Sequence, residues 1–594
     1  MLEKIRLSTD LCVVGGGMAG IAAAIAAARE GTKVVLMHER PVLGGNASSE
    51  IRMWVCGAKG RNNRETGILE EIMLESLYRN PTKSYALWDS ILYDFVKREE
   101  NITLLLNTTC MDAECEQGEY ADGRTTLIKS VTGYQMTTQR FIKVEAKYFA
   151  DCSGDSILAP LTGAEFRLGR ESKHEFGEDT DLEASDKMTM GMSCLVYGRE
   201  TNRKIDFIPP SFATKLCDKD FENRMPNIYD ETENFWYLEL GGNRDSIGDT
   251  EVLRDELVAL ALGTWDYVKN SGKFNAENWD VDFLGFLPGK RESRRMCGEY
   301  IVTQRDISSG RVFEDEVAYG GWPLDDHFPG GFYHRGVPNT DFATPAPYSL
   351  PYRALYSKNV ENLFFAGRNI SMTHTAMSSI RVMATCALLG EAVGKAAAIA
   401  SRDGLTPHGV YTDKLAELQR KLLNEDCFLP SKRREVGESC KNATLIGATD
   451  AIRNGEDRVH DRYGSSEENG KCIVKCGDAI TYTLVADEIS SIHIVFDSDL
   501  NRETLPGGWC EQGHSTRANH LLDSPIMHMP TTLCRDFTLV GKLGDASEVI
   551  LDVADNRKRA YHIECGKSYD EISLIPKRVW GDGDSVPVIS FDFL

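Results

Sequence analysis

The chain has 594 residues, 42% of them hydrophobic, and Lys+Arg 67 against Asp+Glu 90 gives a formal net charge of −23. It is too long for one hydrophobic core and, at roughly 150 residues per domain, is expected to fold as three or four units. The acidic balance works against phosphate backbones and anionic lipid, so neither nucleic acid nor a membrane is an expected partner.

The stretch 10–39 runs from an apolar strand through Gly15-x-Gly17-x-x-Gly20, an alanine-rich helix and a second strand to an acid, Glu39. Each part suits a dinucleotide. Gly15 permits the tight turn, Gly17 lets the backbone approach a pyrophosphate, Gly20 lets the helix pack on the strand, and Glu39 falls where a carboxylate meets a ribose hydroxyl. With so few residues before this motif no signal peptide is expected, and the apolar run 21–28 is far too short to span a membrane.

A polar loop, Gly44-Gly45-Asn46-Ala47-Ser48-Ser49, follows, then amphipathic helices near 66–79 and 84–99 and a strand at 102–106. Segments 125–132 and 141–145 alternate like antiparallel strands and lead into a second small-residue turn at 147–154. Residues 170–350 lose the βαβ rhythm and read as an inserted mixed α+β substrate domain. The rhythm returns at Asn362, where a strand runs into Gly367 and a small-residue helix spans 383–400. The expected division is 1–169 and 351–402 for a discontinuous nucleotide domain, 170–350 for the insert, 403–442 for a helical linker and 443–594 for an all-β sandwich. Sixteen cysteines, from Cys12 to Cys565, read as reduced core thiols of a cytoplasmic protein. Cys472 and Cys476 have no second pair to complete a zinc site, so no metal is expected.

The first cradle alone suits NAD or FAD. With the segments LGGNAS, ADCSGDSILAPLTGA and NLFFAGRNISMTHTAMSSIRVMATCALLGEAVGKAAA, the chain over about 1–440 resembles the glutathione-reductase-like flavoproteins. In particular, GGNASSEIR is similar to the second motif of a bacterial family of FAD-dependent oxidoreductases. The resemblance implies an α/β Rossmann-type FAD-binding domain. It places Gly15, Gly17 and Gly20 at the pyrophosphate, Glu39 and Arg40 at the adenosine end, and Gly45, Asn46, Ser48 and Ser49 along the flavin. Gly154 and Asp155 would flank the dinucleotide, with Gly367 and Arg368 near the ribityl chain and second phosphate. No second GxGxxG occurs for a separate NAD(P)H domain, and no CxxC redox pair follows the first lobe.

His374 is the first catalytic candidate, as an imidazole able to remove a hydroxyl proton while hydride leaves carbon, or else as a cap of the following helix. Arg381 and Arg52 are candidates for substrate anchoring, with ion pairing as the alternative. Arg291 and Arg295, in the basic GKRESRR run, are read as cofactor or substrate contacts or as structural pairs. Cys56 reads as a core thiol. The tail resembles galactose-binding-like (discoidin-type) β-sandwiches, which would put Trp509 or Trp580 against a sugar face and Arg578 on its hydroxyls, or else leave the domain to pack or mediate association into a homo-oligomer. The combination suggests oxidation of a small hydroxyl-bearing substrate, a saccharide or glycoside, with oxygen, a quinone or another acceptor taking the electrons. Reduction of an unsaturated small molecule, as in fumarate-reductase relatives, and a flavin- or glycan-binding protein without turnover are the alternatives.

Overall fold

The computed structural model describes residues 2–120, 123–502 and 516–594. They divide into two compact units: the described parts of Met1–Lys59, Thr82–Leu415 and Glu503–Ile526 form one, and Gly60–Pro81, Ala416–Arg502 and Met527–Leu594 form the other.

The first unit is organised by a seven-stranded sheet. Its strands are β1 (Lys4–Val14), β2 (Val34–Met37), β3 (Ile102–Leu105), β4 (Thr108–Gln117), β5 (Thr126–Gln135) and β6 (Arg140–Asp151), with Leu363–Phe365 as the seventh. The order is β3-β2-β1-β6-β5-β4, parallel from β3 to β6 and antiparallel beyond it, and Leu363–Phe365 pairs in parallel with the end of β6. The parallel strands are apolar runs because both faces are covered, and the covering helices are built from small residues. Helix α1 (Met18–Arg29) joins β1 to β2 and packs against the helix Met383–Asp403 so closely that a Cβ on Gly390 would stand 2.0 Å from the Ala19 carbonyl oxygen. By length and composition the latter helix could cross a membrane, but 94% of its most apolar window is buried inside this unit, where it forms core.

Residues 170–350 lie within the first unit and carry an apolar core of their own, in which Leu253, Leu257 and Trp265 of the helix Thr250–Asn270 meet Phe221, Phe235 and Trp279. Their strands are short. One two-stranded ribbon matters below: Leu324–His327 runs antiparallel to Asn339–Phe342, with Asp325 opposite Asp341 and His327 opposite Asn339. Side chains alternate between faces along a strand, so these four share one face and Asp326 points to the other.

The second unit holds a seven-stranded antiparallel sheet whose longest strands are Ile480–Phe496 and Ala560–Val579. The helix Ile68–Arg79 adds Leu74 and Leu77 to its core. This differs from the sequence expectation, which kept that helix with the nucleotide lobe: periodicity marks an apolar face but does not say which core will receive it. Trp509 lies outside the described residues. Trp580 is packed, its Nε1–H donating to the Asn556 carbonyl at 2.6 Å and its ring met by the Arg535 guanidinium at 4.7 Å and the Tyr78 ring at 5.5 Å, while Arg578 pairs with Asp536. Trp580 and Arg578, the two described residues among the three expected at a sugar, are thus engaged within the unit.

Candidate functional site

A cavity of about 800 Å3 opens in the first unit at the carboxyl ends of the parallel strands, where a doubly wound sheet binds its ligand. One end is lined by Gly15–Ala19, Glu39, Arg40, Gly45 and Asn46. Gly15 adopts φ +107°, and a Cβ there would fall 2.4 Å from the Cys152 carbonyl; a Cβ on Gly20 would stand 1.8 Å from the Gly15 oxygen. Gly17 differs: its backbone is extended and a Cβ would meet only the Gly45 Cα, at 3.9 Å. It faces space. Gly17 caps α1 with no side-chain bond, so the first-turn amides, which have no acceptor within the helix, border the cavity. The Gly16 N–H donates to His38 Nδ1 at 3.0 Å and fastens the turn to the end of β2.

Opposite the glycine turn, Asp155 accepts from Lys290 Nζ, Arg368 Nη2 and Ser293 Oγ, each at 2.8 Å. Burial opposes its charge, but Arg368 and Lys290 outweigh burial and hold Asp155 at about 2. Arg368 follows Gly367 at the end of the strand Leu363–Phe365, and its Nε is buried with no partner. A helix N-terminus bordering the cavity, a glycine turn with room beside Gly17 and a buried guanidinium donor left unsatisfied fit a dinucleotide diphosphate.

The other end is charged and aromatic. Arg381 donates to Asp325 at 2.9 Å, Asn339 donates to Asp325 at 2.5 Å, and His327 bridges Glu239 (Nδ1, 2.6 Å) and Asp325 (Nε2, 3.5 Å). Burial would depress His327, but Glu239 together with Asp325 overrides burial and the nearby Arg291, so its pKa lies above the ordinary imidazole range. Arg291 binds Ser193 Oγ at 3.0 Å and the Trp236 carbonyl at 2.9 Å, and the Trp236 ring meets His327 edge-on at 5.2 Å.

Of the residues singled out from sequence, the cavity wall unites Gly15, Gly17, Glu39, Arg40, Gly45, Asn46, Gly154, Asp155, Arg291, Gly367, Arg368 and Arg381, along with Cys56. Gly20 packs behind the turn. Ser48 and Ser49 are not in the wall: Ser48 Oγ closes its own turn on the Gly45 carbonyl at 2.8 Å, and the Ser49 N–H binds Asp89 at 3.0 Å.

His374 requires correction. It begins the helix His374–Ile380 outside the cavity wall, with Nδ1 on Glu292 at 2.8 Å and Nε2 on Asp326 at 3.1 Å. Burial works against its charge, but Glu292 and Asp326 raise it to about 10, leaving no basic nitrogen for a substrate proton. Arg295, fully buried, pairs with Glu292 and Glu171 in the same interior network.

Arg52 also turns away. At φ +65° it lies over the Phe283 ring at 4.1 Å and pairs with Asp282 at 3.0 Å, while the Tyr85 and Tyr197 hydroxyls donate to its carbonyl and hold the unusual backbone. Glu233, Glu239, Asp325 and His327 were missed. The signals were present in ENFWYLEL and PLDDHF, where carboxylates and a histidine interrupt strand-like apolar runs.

The model of a family described as FAD dependent oxidoreductase matches residues 10–422, more than half of the chain. The chain belongs to this family of FAD-dependent oxidoreductases. No curated protein sequence matches it. Among solved structures, a geranylgeranyl bacteriochlorophyll reductase-like protein of Thermoplasma acidophilum is 13% identical over 71% of this chain and 84% of its own, with a TM-score of 0.30. The THI4 protein of Thermovibrio ammonificans is 17% identical over 28% and 67%, with a TM-score of 0.21. A CBM32-2 module of a GH31 protein bound to GalNAc is 11% identical over 26% and 96%, with a TM-score of 0.19. At such scores these likenesses add nothing to the family match. In this FAD-dependent oxidoreductase the glycine turn, Glu39 and Arg368 would hold the cofactor, which supplies two-electron chemistry when bound.

Proposed function

We infer that the protein oxidises a hydroxyl-bearing carbon of a saccharide or glycoside, with hydride passing to flavin N5. One observation carries this reading: a single cavity joins the glycine cradle to a polar wall of Arg291, Asp325, His327 and Arg381 beside the Trp236 and Tyr237 rings. A polyhydroxylated ring needs donors and acceptors at short spacing and an aromatic face for its C–H surface. Here Arg381 donates and Asp325 accepts, and His327, held between Glu239 and Asp325, fixes that carboxylate in the wall. Arg381 Nε, buried without a partner, is a donor left for a substrate oxygen. The strand rhythm of the C-terminal antiparallel sheet, similar to galactose-binding-like sandwiches, supports a carbohydrate context.

A second reading, reduction of an activated alkene, is favoured by the three cationic side chains Arg291, His327 and Arg381 in one wall, with Arg381 as proton donor. The test is the visible spectrum of the FAD-loaded protein, followed anaerobically while sugars, glycosides and small unsaturated acids are added. Bleaching by a sugar is the expected result. Reoxidation of the dithionite-reduced protein by an unsaturated acid, with no sugar bleaching it, would replace the first reading by the second.

A further inference from the structure

We propose that Glu233 is the catalytic residue that accepts the substrate's hydroxyl proton, an assignment that rests on the oxidation reading above. The cavity wall holds several other carboxylates and imidazoles, and all but the exposed Asp341 are committed to partners, His38 to the Gly16 N–H and the Val42 carbonyl. Asp155 is bound to Lys290 and Arg368, Asp325 to Arg381 and His327, and Glu39 to Arg40, and a carboxylate so paired is a poor base. His327 has both nitrogens engaged by carboxylates. Asp341 is exposed at the ribbon edge.

Glu233 lines the cavity beside Trp236 and Tyr237, and its Oε1 accepts the Phe235 N–H at 2.7 Å. Among the described residues no cation lies within ion-pair distance of it. The charged and titratable groups that act on it are Asp230 on its own loop and the Tyr237 hydroxyl, which is buried without a partner; Arg224, also in the cavity wall, acts on Tyr237 and donates to the carbonyls of Phe332, His334 and Gly336. Burial, reinforced by Asp230, pushes Glu233 up to about 7, where a carboxylate exchanges protons efficiently at neutral pH. Burial keeps Tyr237 protonated far above that range, so it donates to oxygen and does not compete for the proton.

In the proposed step the substrate C–H bond breaks and its hydrogen and electron pair go to FAD. The O–H bond breaks, its proton goes to a Glu233 oxygen, and the carbon–oxygen double bond forms. The substrate loses two electrons, FAD gains two, and Glu233 ends neutral.

The test uses the full FAD-loaded chain as wild type, Glu233→Gln and Glu233→Asp. Gln keeps the acceptor for the Phe235 N–H while removing the titration. Without substrate, a carbodiimide and an amine nucleophile at pH 7, read by peptide mass spectrometry, are expected to label Glu233 and to spare Asp155 and Asp325; an unlabelled Glu233 overturns the assignment. With the hydroxyl compound that bleaches the wild type, the reduction rate is expected to rise through about pH 7. Glu233→Gln should slow it by roughly 10²- to 10⁴-fold and abolish that limb, with FAD content unchanged and partial recovery in Glu233→Asp. A Gln variant as fast as wild type sinks this assignment alone. A wild type that no hydroxyl compound bleaches, though Glu233 is labelled, sinks the oxidation reading and the assignment with it.

Discussion

Gly17 and Gly20 stand three residues apart in one motif, yet the structure gives them opposite penalties for a methyl group. At Gly20 a Cβ would fall 1.8 Å from the Gly15 carbonyl oxygen, a main-chain atom fixed by a turn at φ +107°. Alanine would gain about 1 kcal/mol of helix propensity in α1, but overpacking against rigid backbone costs typically 1–3 kcal/mol, so the clash wins and Gly20→Ala destabilises the apoprotein. At Gly17 the backbone angles, φ −72° and ψ −177°, suit any residue and the nearest atom is 3.9 Å away. Gly17→Ala therefore leaves apoprotein stability unchanged or raises it by a few tenths of a kcal/mol. Its methyl group enters the space a pyrophosphate must approach. Losing one hydrogen bond to a charged group there, roughly 1.5–3 kcal/mol, weakens FAD binding about 10- to 100-fold. Urea denaturation of the two apoproteins and fluorescence titration with FAD measure both quantities. A Gly17→Ala protein that binds FAD like wild type, or a Gly20→Ala apoprotein as stable as wild type, would refute the reasoning.

His374 is held up to about 10 against an ordinary 6.5, so its contribution to stability is complete below pH 6.5 and is lost as pH rises through about 10. Denaturation midpoints should fall over that interval, and His374→Asn, which leaves Glu292 and Asp326 without their shared cation, should cost about 3–5 kcal/mol at pH 7 and flatten the pH dependence. Asp155 has the opposite sign: its pKa is depressed from 3.8 to about 2, so its contribution is present above pH 4 and disappears as pH falls to 2, a dependence that Asp155→Asn should reduce in acid denaturation curves. Arg52→Ala should leave FAD content and bleaching rate within twofold of wild type while lowering stability by about 1–2 kcal/mol through the lost contacts with Phe283 and Asp282, as measured by absorbance and denaturant unfolding.

The cofactor half of the site was legible in the sequence because its requirements are local. A glycine turn, the helix after it and the acid at the end of the next strand occupy one short stretch, and Gly367–Arg368 repeats the strand-to-turn signal. The other half was legible only in Arg291 and Arg381, which the sequence singled out and the cavity wall contains. Arg291, Asp325, His327 and Arg381 meet through pairings between segments distant in sequence, and nothing near His374 announced that Glu292 and Asp326 would close on it from either side. Arg52 misled for a similar reason. Its neighbours Ile51 and Met53 do line the cavity, but a left-handed backbone at Arg52 sends the guanidinium elsewhere. Ser48 and Ser49 belong to a loop whose glycine and asparagine face the cavity while its hydroxyl and amide stabilise the loop.

The short ribbon Leu324–His327 against Asn339–Phe342 sorts charge by parity. Odd positions 325, 327, 339 and 341 look into the cavity, and the even position 326 locks His374 into the framework. Single replacements at odd positions therefore change the polar groups of the cavity directly, at the cost of the Asp325–Arg381 and His327–Glu239 pairs, and leave the Asp326–His374 pair in place. Insertion or deletion of one residue would do the reverse. It would exchange the two sets, exporting the framework's carboxylate to the cavity and burying the cavity's charges against Glu292, so this lineage of enzymes should vary by substitution here and keep the length of the ribbon fixed.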